Sequence, residues 1–213
     1  MRHIVHVSGY ALAQHPQLHY VVDREGQPAT GKFGDWEHVC WGDPSSGALG
    51  RIPTALWYAR QVAADRLVWS TGCQRIKDGA WEAEFFFERA MTSFERLQAD
   101  FPHRFGKHWF PSSRRQRSWL GSITALDTES TITSASMEWL ARYVRKEVTG
   151  AVTVHLISSA NHVPRVLRDA MKSFNYDYGE ENFHQRVTLI GVPAETNYGR
   201  KWVHDVVIRD LGD

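Results

Sequence analysis

The sequence contains only two cysteines, Cys40 and Cys73, and carries almost no net charge. The cysteines fit no zinc-ligand or redox spacing, which favours reduced thiols over a disulfide. Its 25 basic residues exceed its 24 acidic residues by one, so the formal net charge is +1. This balance argues against a nucleic-acid-binding protein that works by overall charge, although it leaves room for a local basic patch.

Long apolar runs are also missing. The first ten residues, MRHIVHVSGY, lack the apolar core of a signal peptide, and no later run approaches the length of a membrane span. We therefore expect a cytoplasmic protein with no membrane partner. The 213 residues are 42% hydrophobic and 23% charged, which is ordinary for one globular domain that spans residues 1–213.

Several catalytic and metal-binding motifs are absent from the sequence. It has no P-loop, no GxGxxG after a strand and no GxSxG elbow, so a hydrolase with a nucleophilic serine is not favoured. None of the 11 histidines belongs to an HExxH motif. His15 and His19 are four positions apart, but Pro16 lies between them, which argues against a helical metal pair. No metal site is predicted.

Apolar strands alternate with amphipathic helices along most of the chain. We predict strands at 3–9, 66–72, 122–126, 188–192 and 202–208, a further strand that starts at Val152, and helices at 51–64, 81–101, 132–148 and from Val166 onward. A short strand at 20–22 fits within the long segment 10–50, and residues 102–120 are predicted to be irregular. This alternation predicts an α/β fold with a mainly parallel sheet covered on both faces.

Polar residues and glycines end or follow four of the predicted strands. Because ligands of parallel α/β sheets bind beyond the carboxyl ends of the strands, these residues are candidates for binding. They are Ser8, Gly9, Ser70, Thr71, Gly72, Ser130, Thr131, Ser158, Ser159, Asn161 and Arg165.

The stretch from Val152 to Ala170 contains the strongest of these strand ends. Here a branched strand enters a polar turn and then a helix, with His162 and Arg165 at the helix entrance. Free backbone N–H groups and the positive end of the helix dipole favour an anionic ligand at such an entrance. The alternative is that His162 and Arg165 only cap and solvate an ordinary turn.

Three residues are candidates for acid–base catalysis. His162 has a reference pKa near neutrality, and Glu82 and Glu129 follow the second and third predicted strands. Glu82 has a structural alternative, because an acidic residue at a helix N-terminus is favourable with the helix dipole. Close to Glu129, Ser130 or Thr131 has the alternative role of a helix N-cap.

The most basic run of the chain is Arg114-Arg115-Gln116-Arg117, which lies near Trp109, Phe110 and Trp119. Basic residues beside aromatic rings are able to bind nucleotides or single strands. A solvated loop explains the same pattern, and we favour it. Nucleic acid is therefore not expected as a partner.

Four segments in this order resemble the domain of unknown function 218 family, the group of the YdcF, SanA and ElyC proteins. The segments are Ser70-Thr71-Gly72, Glu82-Ala83, Glu129-Ser130-Thr131 and SSANHVPR at 158–165. The resemblance covers about residues 3–9 and 51–175, and the last segment is its most specific part. Thr71 stands where the family usually has Gly, and the chain differs from the family in the long segments 10–50 and 102–120 and in its lack of a membrane anchor.

The resemblance implies a Rossmann-like three-layer αβα sandwich with a polar site at its strand ends. YdcF-type members are associated with S-adenosylmethionine, so this cofactor is an expectation from the resemblance. We expect a small-molecule enzyme that acts on a phosphate-bearing or nucleotide-like substrate, with Glu82, Glu129 and His162 in acid–base roles. The alternative is a module that binds S-adenosylmethionine or a nucleotide without turnover.

Overall fold

Among the described residues, five strands form one sheet in which every neighbouring pair runs parallel. The computed structural model describes residues 1–9, 14–15, 18–19, 37–70, 81–106, 108–175 and 183–196. The strands are β1 (Arg2–Val7), β2 (Arg66–Ser70), β3 (Thr124–Asp127), β4 (Val152–Ser159) and β5 (Val187–Ala194), in the spatial order β3-β2-β1-β4-β5. The predicted parallel α/β sheet is confirmed.

Helices cover both faces of this sheet. They are α1 (Arg51–Gln61), α2 (Glu82–Thr92), α3 (Phe94–Asp100), α4 (Pro102–Phe105), α5 (Ser113–Ile123), α6 (Thr133–Glu147) and α7 (Val163–Asn175), with a 3₁₀ turn at Phe183–Arg186. Helices α1 to α5 pack on one face with the side chains of Val5, Leu67 and Trp69. Helices α6 and α7 pack on the other face with Ile4 and Val68. The arrangement is the three-layer αβα sandwich that we expected.

Alternation along the strands sorts side chains between the two layers, because successive residues of a strand point to opposite faces. All eight residues of β4 are buried, as expected for a strand covered on both sides. Helix α7 packs closely on β5, where a Cβ on Gly191 would lie 2.5 Å from Val163 Cγ1 of α7. Glycine at this position therefore allows α7 to lie directly on the sheet.

The prediction of an irregular segment at 102–120 was wrong. The short helix α4 and most of α5 lie in this segment, and Ser112 caps α5 by accepting from the backbone N of Arg115. Gln116 occupies the buried face of α5, where its amide donates to the carbonyl of Ala90 at 3.1 Å and accepts from Trp109 Nε1 at 2.6 Å. A polar residue at a core position hid the helical spacing of Leu120 and Ile123.

Other predicted bounds also shift. The single helix predicted at 81–101 is two helices, since the chain departs from helical geometry at Ser93, between α2 and α3. Strand β3 begins two residues later than predicted and ends at Asp127, and α7 begins at Val163. The strands predicted at 20–22 and 202–208, together with Cys73, lie outside the described residues.

The last part of the long segment 10–50 lies beside the end of β5, which is an edge strand of the sheet. The described residues of the segment contain a two-residue hairpin of Gln14–His15 with Leu18–His19, a π-helix at Glu37–Trp41, and a second hairpin of Gly42–Asp43 with Ala48–Leu49. Glu195, just after β5, donates its backbone N–H to the Leu49 carbonyl at 2.9 Å and accepts from the Leu49 N–H at 2.9 Å. Thr196 Oγ1 also donates to a backbone carbonyl of the π-helix at 3.2 Å. These bonds fix the chain that leads into α1.

Candidate functional site

The strand order places a switch point between β1 and β4. From β1 the chain moves outward through β2 and β3, and it then returns to β4 on the other side of β1. At such a point the connections leave in opposite directions, which opens a crevice beyond the carboxyl ends of the strands. The Ser8 N–H donates to the Ile157 carbonyl at 3.0 Å, so Ser8 and Ser158 end neighbouring strands side by side.

Three polar side chains at this crevice have no hydrogen-bond partner in the described part of the chain. They are the hydroxyls of Ser8 and Ser158 and both polar atoms of the Asn161 amide, and all of these atoms are buried. A buried polar group without a partner costs about 1–3 kcal/mol, so folded proteins rarely keep several together without a use for them. All three were predicted as binding residues from the sequence, and they lie at or just beyond the carboxyl ends of the neighbouring strands β1 and β4.

The N-termini of α6 and α7 lie at the same edge of the sheet. The residue before α6 is Ile132, which has no side-chain acceptor to cap the helix. The alternative role of Ser130 or Thr131 as the N-cap of α6 is therefore excluded. Before α7, the His162 N–H donates to the Ser159 carbonyl at 2.8 Å and closes a turn, and the Val166 N–H then donates to the His162 carbonyl at 3.1 Å in the first turn of the helix. Both helices direct the positive ends of their dipoles toward the strand ends.

Arg51 connects the ends of β1 and β4, and sequence reasoning missed it. Its guanidinium is fully buried and donates to the Ser8 carbonyl at 2.9 Å, to the Gly9 carbonyl and to Ser159 Oγ at 3.0 and 3.2 Å. A cation at the first position of α1 opposes the helix dipole, and this conflict was the available signal. The fork geometry of arginine holds both strand ends in one arrangement.

His162 lies within reach of two cationic groups and of α6. Its Nε2 is 3.4 Å from the Thr133 hydroxyl, at the first residue of α6. Burial, and then the charges of Arg51 and Arg165, lower the His162 pKa to about 3. The imidazole is therefore neutral at physiological pH. An anion placed between the imidazole and the two guanidinium groups would raise this pKa again.

Arg165 is half exposed at the entrance to α7. Its Nε lies 4.0 Å from Asp169 Oδ2, and Arg168 also approaches this carboxylate at 3.3 Å. An exposed, shared ion pair of this kind contributes little to stability. The side chain therefore loses little if it turns toward a ligand.

The two predicted glutamates have different environments. Glu82 is the first residue of α2 and is completely buried at the carboxyl end of β2. Glu129 follows β3, but its carboxylate is 72% exposed and lies 3.9 Å from Arg142 on α6. Glu82, Glu129, His162 and Arg165 thus all follow carboxyl ends of the sheet, while the Glu129 carboxylate faces solvent. Their catalytic roles stay predictions.

The remaining predicted binding residues divide between buried and exposed positions. Ser70 and Ser130 are buried, and Thr131 is exposed. Ser130 contributes its backbone N–H to Asp127 Oδ1 at 3.1 Å. Thr71 and Gly72 lie outside the described residues.

A buried hydrogen-bonded row beneath the crevice was not predicted. Asp127, Ser70, Ser136 and His6 are all buried and belong to β3, β2, α6 and β1 in turn. Ser70 Oγ donates to Asp127 Oδ2 at 3.1 Å and contacts Ser136 Oγ, which in turn lies 3.1 Å from His6 Nε2. These residues are up to 130 positions apart in sequence, so no local sequence motif predicts their hydrogen bonds.

Comparison with known proteins gives no relative for this chain: no family model, no curated protein and no solved structure matches. Within the described ranges, no three His, Cys, Asp or Glu side chains are grouped as metal ligands. None of the described helices is both long and apolar enough to cross a membrane. The assignment of function therefore depends on the crevice itself.

Proposed function

We propose that this chain is a cytoplasmic enzyme that acts on a phosphate-bearing or nucleotide-like small molecule in the crevice between β1 and β4. One observation carries the proposal. Buried hydroxyl and amide groups, which lack partners in the described residues, lie at the same edge of the sheet as the N-termini of two helices. SSANHVPR and the earlier segments resemble the domain of unknown function 218 family, and this resemblance supports a binding site at the same edge of the sheet.

The anion binds at the turn from Ser158 to His162. There the Asn161 amide and the Ser158 hydroxyl supply donors, and the α7 N-terminus supplies backbone N–H groups and a positive dipole end. Arg165 adds a half-exposed positive charge from the solvent side. Arg51 adds a fixed charge from below, since its side chain is held by the strand ends.

His162 acts as the acid–base group. It is neutral before the ligand binds, so it is able to accept a proton from an attacking hydroxyl or water. The bound anion raises its pKa, which makes the transfer to the ring more favourable. Of the two carboxylates, buried Glu82 is the stronger candidate to assist, because the exposed carboxylate of Glu129 faces Arg142.

The second candidate is a module that binds a nucleotide or S-adenosylmethionine without turnover. Two observations favour it: the His162 pKa of about 3 describes a weak base, and the Glu129 carboxylate faces solvent. The positive groups around the turn fit the carboxylate of S-adenosylmethionine, whereas its cationic sulfonium would gain nothing from them. A phosphate-bearing ligand therefore fits the described residues better.

Thermal-shift and calorimetric titrations test the proposal with inorganic phosphate, ribose 5-phosphate, adenosine monophosphate and S-adenosylmethionine. We expect the phosphate compounds to raise the unfolding midpoint, and phosphorus NMR to show consumption of a phosphate ester that binds. His162→Ala should slow that consumption about a hundredfold or more, the usual contribution of a positioned acid–base group, with affinity changed by less than about twofold.

His184 provides the matched control, because it is exposed on the 3₁₀ turn before β5. His184→Ala should change neither affinity nor consumption. Binding without consumption in the wild type would favour the second candidate over the first. If none of the four compounds raises the midpoint, the crevice is not an anion site and the proposed function fails.

A further inference from the structure

The buried row from Asp127 to His6 has a fixed direction of proton donation. Asp127 Oδ1 accepts from the backbone N–H groups of Glu129 at 3.2 Å and Ser130 at 3.1 Å, and Oδ2 accepts from Ser70. Both carboxylate oxygens act as acceptors in these bonds, and Ser70 is the donor to Oδ2. The Asp127 end of the row is therefore set as an acceptor.

Each hydroxyl in the row has only one proton to donate. Since Ser70 gives its proton to Asp127, it accepts from Ser136, and the Ser136 oxygen is then left to accept from His6 Nε2. The His6 ring is thereby held with its proton on Nε2. Its other nitrogen, Nδ1, carries a lone pair and no proton.

His6 Nδ1 is buried and has no hydrogen-bond partner in the part of the chain that the structure describes. Burial lowers the His6 pKa to about 3, so the ring is neutral and Nδ1 serves only as an acceptor. Strand alternation puts His6 and Ser8 on the same face of β1, and Ser8 lies beside Ser158. His6 thus lies one residue before the end of β1, a strand that borders the crevice, and its Nδ1 is a buried acceptor without a partner among the described residues.

We infer that His6 is a specificity-determining residue that accepts a hydrogen bond from a hydroxyl or amino group of the ligand. The inference rests on the proposed function and narrows its substrate class to phosphate compounds with a hydroxyl or amine close to the phosphate, such as sugar phosphates. Inorganic phosphate and simple alkyl phosphates satisfy the anion donors but leave Nδ1 without a donor. The site therefore selects molecules that carry both a phosphate and a nearby hydroxyl or amine.

The tautomer of His6 is measured by nitrogen-15 NMR of the histidine rings, without any ligand. We expect the wild type to show the proton on Nε2. Asp127→Asn keeps an oxygen toward the two backbone N–H groups and places an N–H₂ toward Ser70, so the row reverses and the His6 proton moves to Nδ1. Asp43→Asn is the matched control, because the Asp43 carboxylate accepts from Ser45 and Ser46 in an exposed turn, and it should leave His6 unchanged. A wild-type proton on Nδ1 overturns the inference, whatever the variants do.

Ligand choice is measured by titrating glycerol 3-phosphate and methyl phosphate, which differ by their hydroxyl groups. We expect wild-type protein to prefer glycerol 3-phosphate by about threefold to tenfold, the range for one added hydrogen bond. In His6→Gln the side-chain amide is still able to donate to Ser136 but offers nothing at the position of Nδ1. The preference ratio should then fall to about one, whereas His184→Gln should keep it.

The outcomes separate this inference from the proposed function. Equal wild-type affinity for the two esters, or an unchanged ratio in His6→Gln, overturns the role of His6 and leaves the anion site standing. If neither ester binds, the proposed function fails and the inference fails with it.

Discussion

Acid should unfold this protein more steeply than its carboxylates alone would require. Burial lowers the pKa of His6 to about 3, and burial together with the charge of His3 lowers that of His155 to about 4. His162 has a pKa of about 3 for the reasons given above. In the unfolded chain the pKa of each imidazole returns to its ordinary value of 6.5. Below that pH the unfolded chain binds a proton at each ring that the folded state excludes. Stability is therefore complete above about pH 6.5 and is lost as the pH falls toward each folded pKa.

The loss of stability at low pH has a contribution from His6 and one from each of the other two histidines. Lowering the pH from about 7.5 to 5 protonates an unfolded imidazole almost fully, which costs the folded state about 2 kcal/mol. Near pH 5 each excluded proton adds up to about 1.4 kcal/mol per pH unit, so three histidines give a slope of up to about 4 kcal/mol per unit. Domains are usually stable by about 5–15 kcal/mol, so this loss is a large part of the total.

The assay is urea unfolding at a series of pH values between 7.5 and 5. His6→Gln should reduce the slope of unfolding free energy against pH by about 1.4 kcal/mol per unit near pH 5, because one excluded proton is removed. The exposed His184 supplies the control, and His184→Gln should leave the slope unchanged. A wild-type stability that is flat over this range, or an unchanged slope in His6→Gln, would refute the reasoning.

Two further substitutions test the packing of α7 and the charge at its entrance. Gly191→Ala places a Cβ 2.5 Å from Val163 Cγ1 and 2.8 Å from Leu167 Cδ1, so it should destabilise the fold by about 1–3 kcal/mol in urea unfolding. Gly121→Ala, where a Cβ meets nothing within 4 Å, is the control and should not destabilise. Arg165→Ala should weaken binding of inorganic phosphate by about twofold to fivefold at low salt and less at high salt, because a half-exposed charge is screened. Equal affinities at both salt concentrations would show that Arg165 does not contribute to the anion site.

Much of the fold was predictable because its signals are local. Alternating branched residues around Val154 and the helical spacing after Val166 identify a strand and a helix from neighbouring positions alone. Their alternation along the chain then implies a parallel sheet. Helix α5 was missed because Gln116, a polar residue, lies in its buried face and makes its hydrogen bonds to Ala90 and Trp109. Only the contacts of Gln116 reveal it as a core residue.

The candidate site was predictable where residues follow strands and was not predictable where they meet across them. Ser8, Ser158 and Asn161 were found because small polar residues at strand ends mark the edge of an α/β sheet. His6 and Ser136 were not found, since one lies inside an apolar strand and the other inside a helix, 130 positions away. Arg51 was missed for a similar reason, because its partner Ser159 lies 108 positions further along the chain.

The bonds between Leu49 and Glu195 and between Val39 and Thr196 also have a consequence for the order of folding during synthesis. Their partners are separated by 146 and 157 residues, so the segment that leads into α1 cannot complete its hydrogen bonds until Glu195 and Thr196 have been added. At about 5–20 residues per second, Thr196 is added roughly 8–30 s after Val39. During that interval the segment before Arg51 on the nascent chain lacks its hydrogen bonds to Glu195 and Thr196. The approach to the crevice thus takes its final shape only after strand β5 has been synthesised.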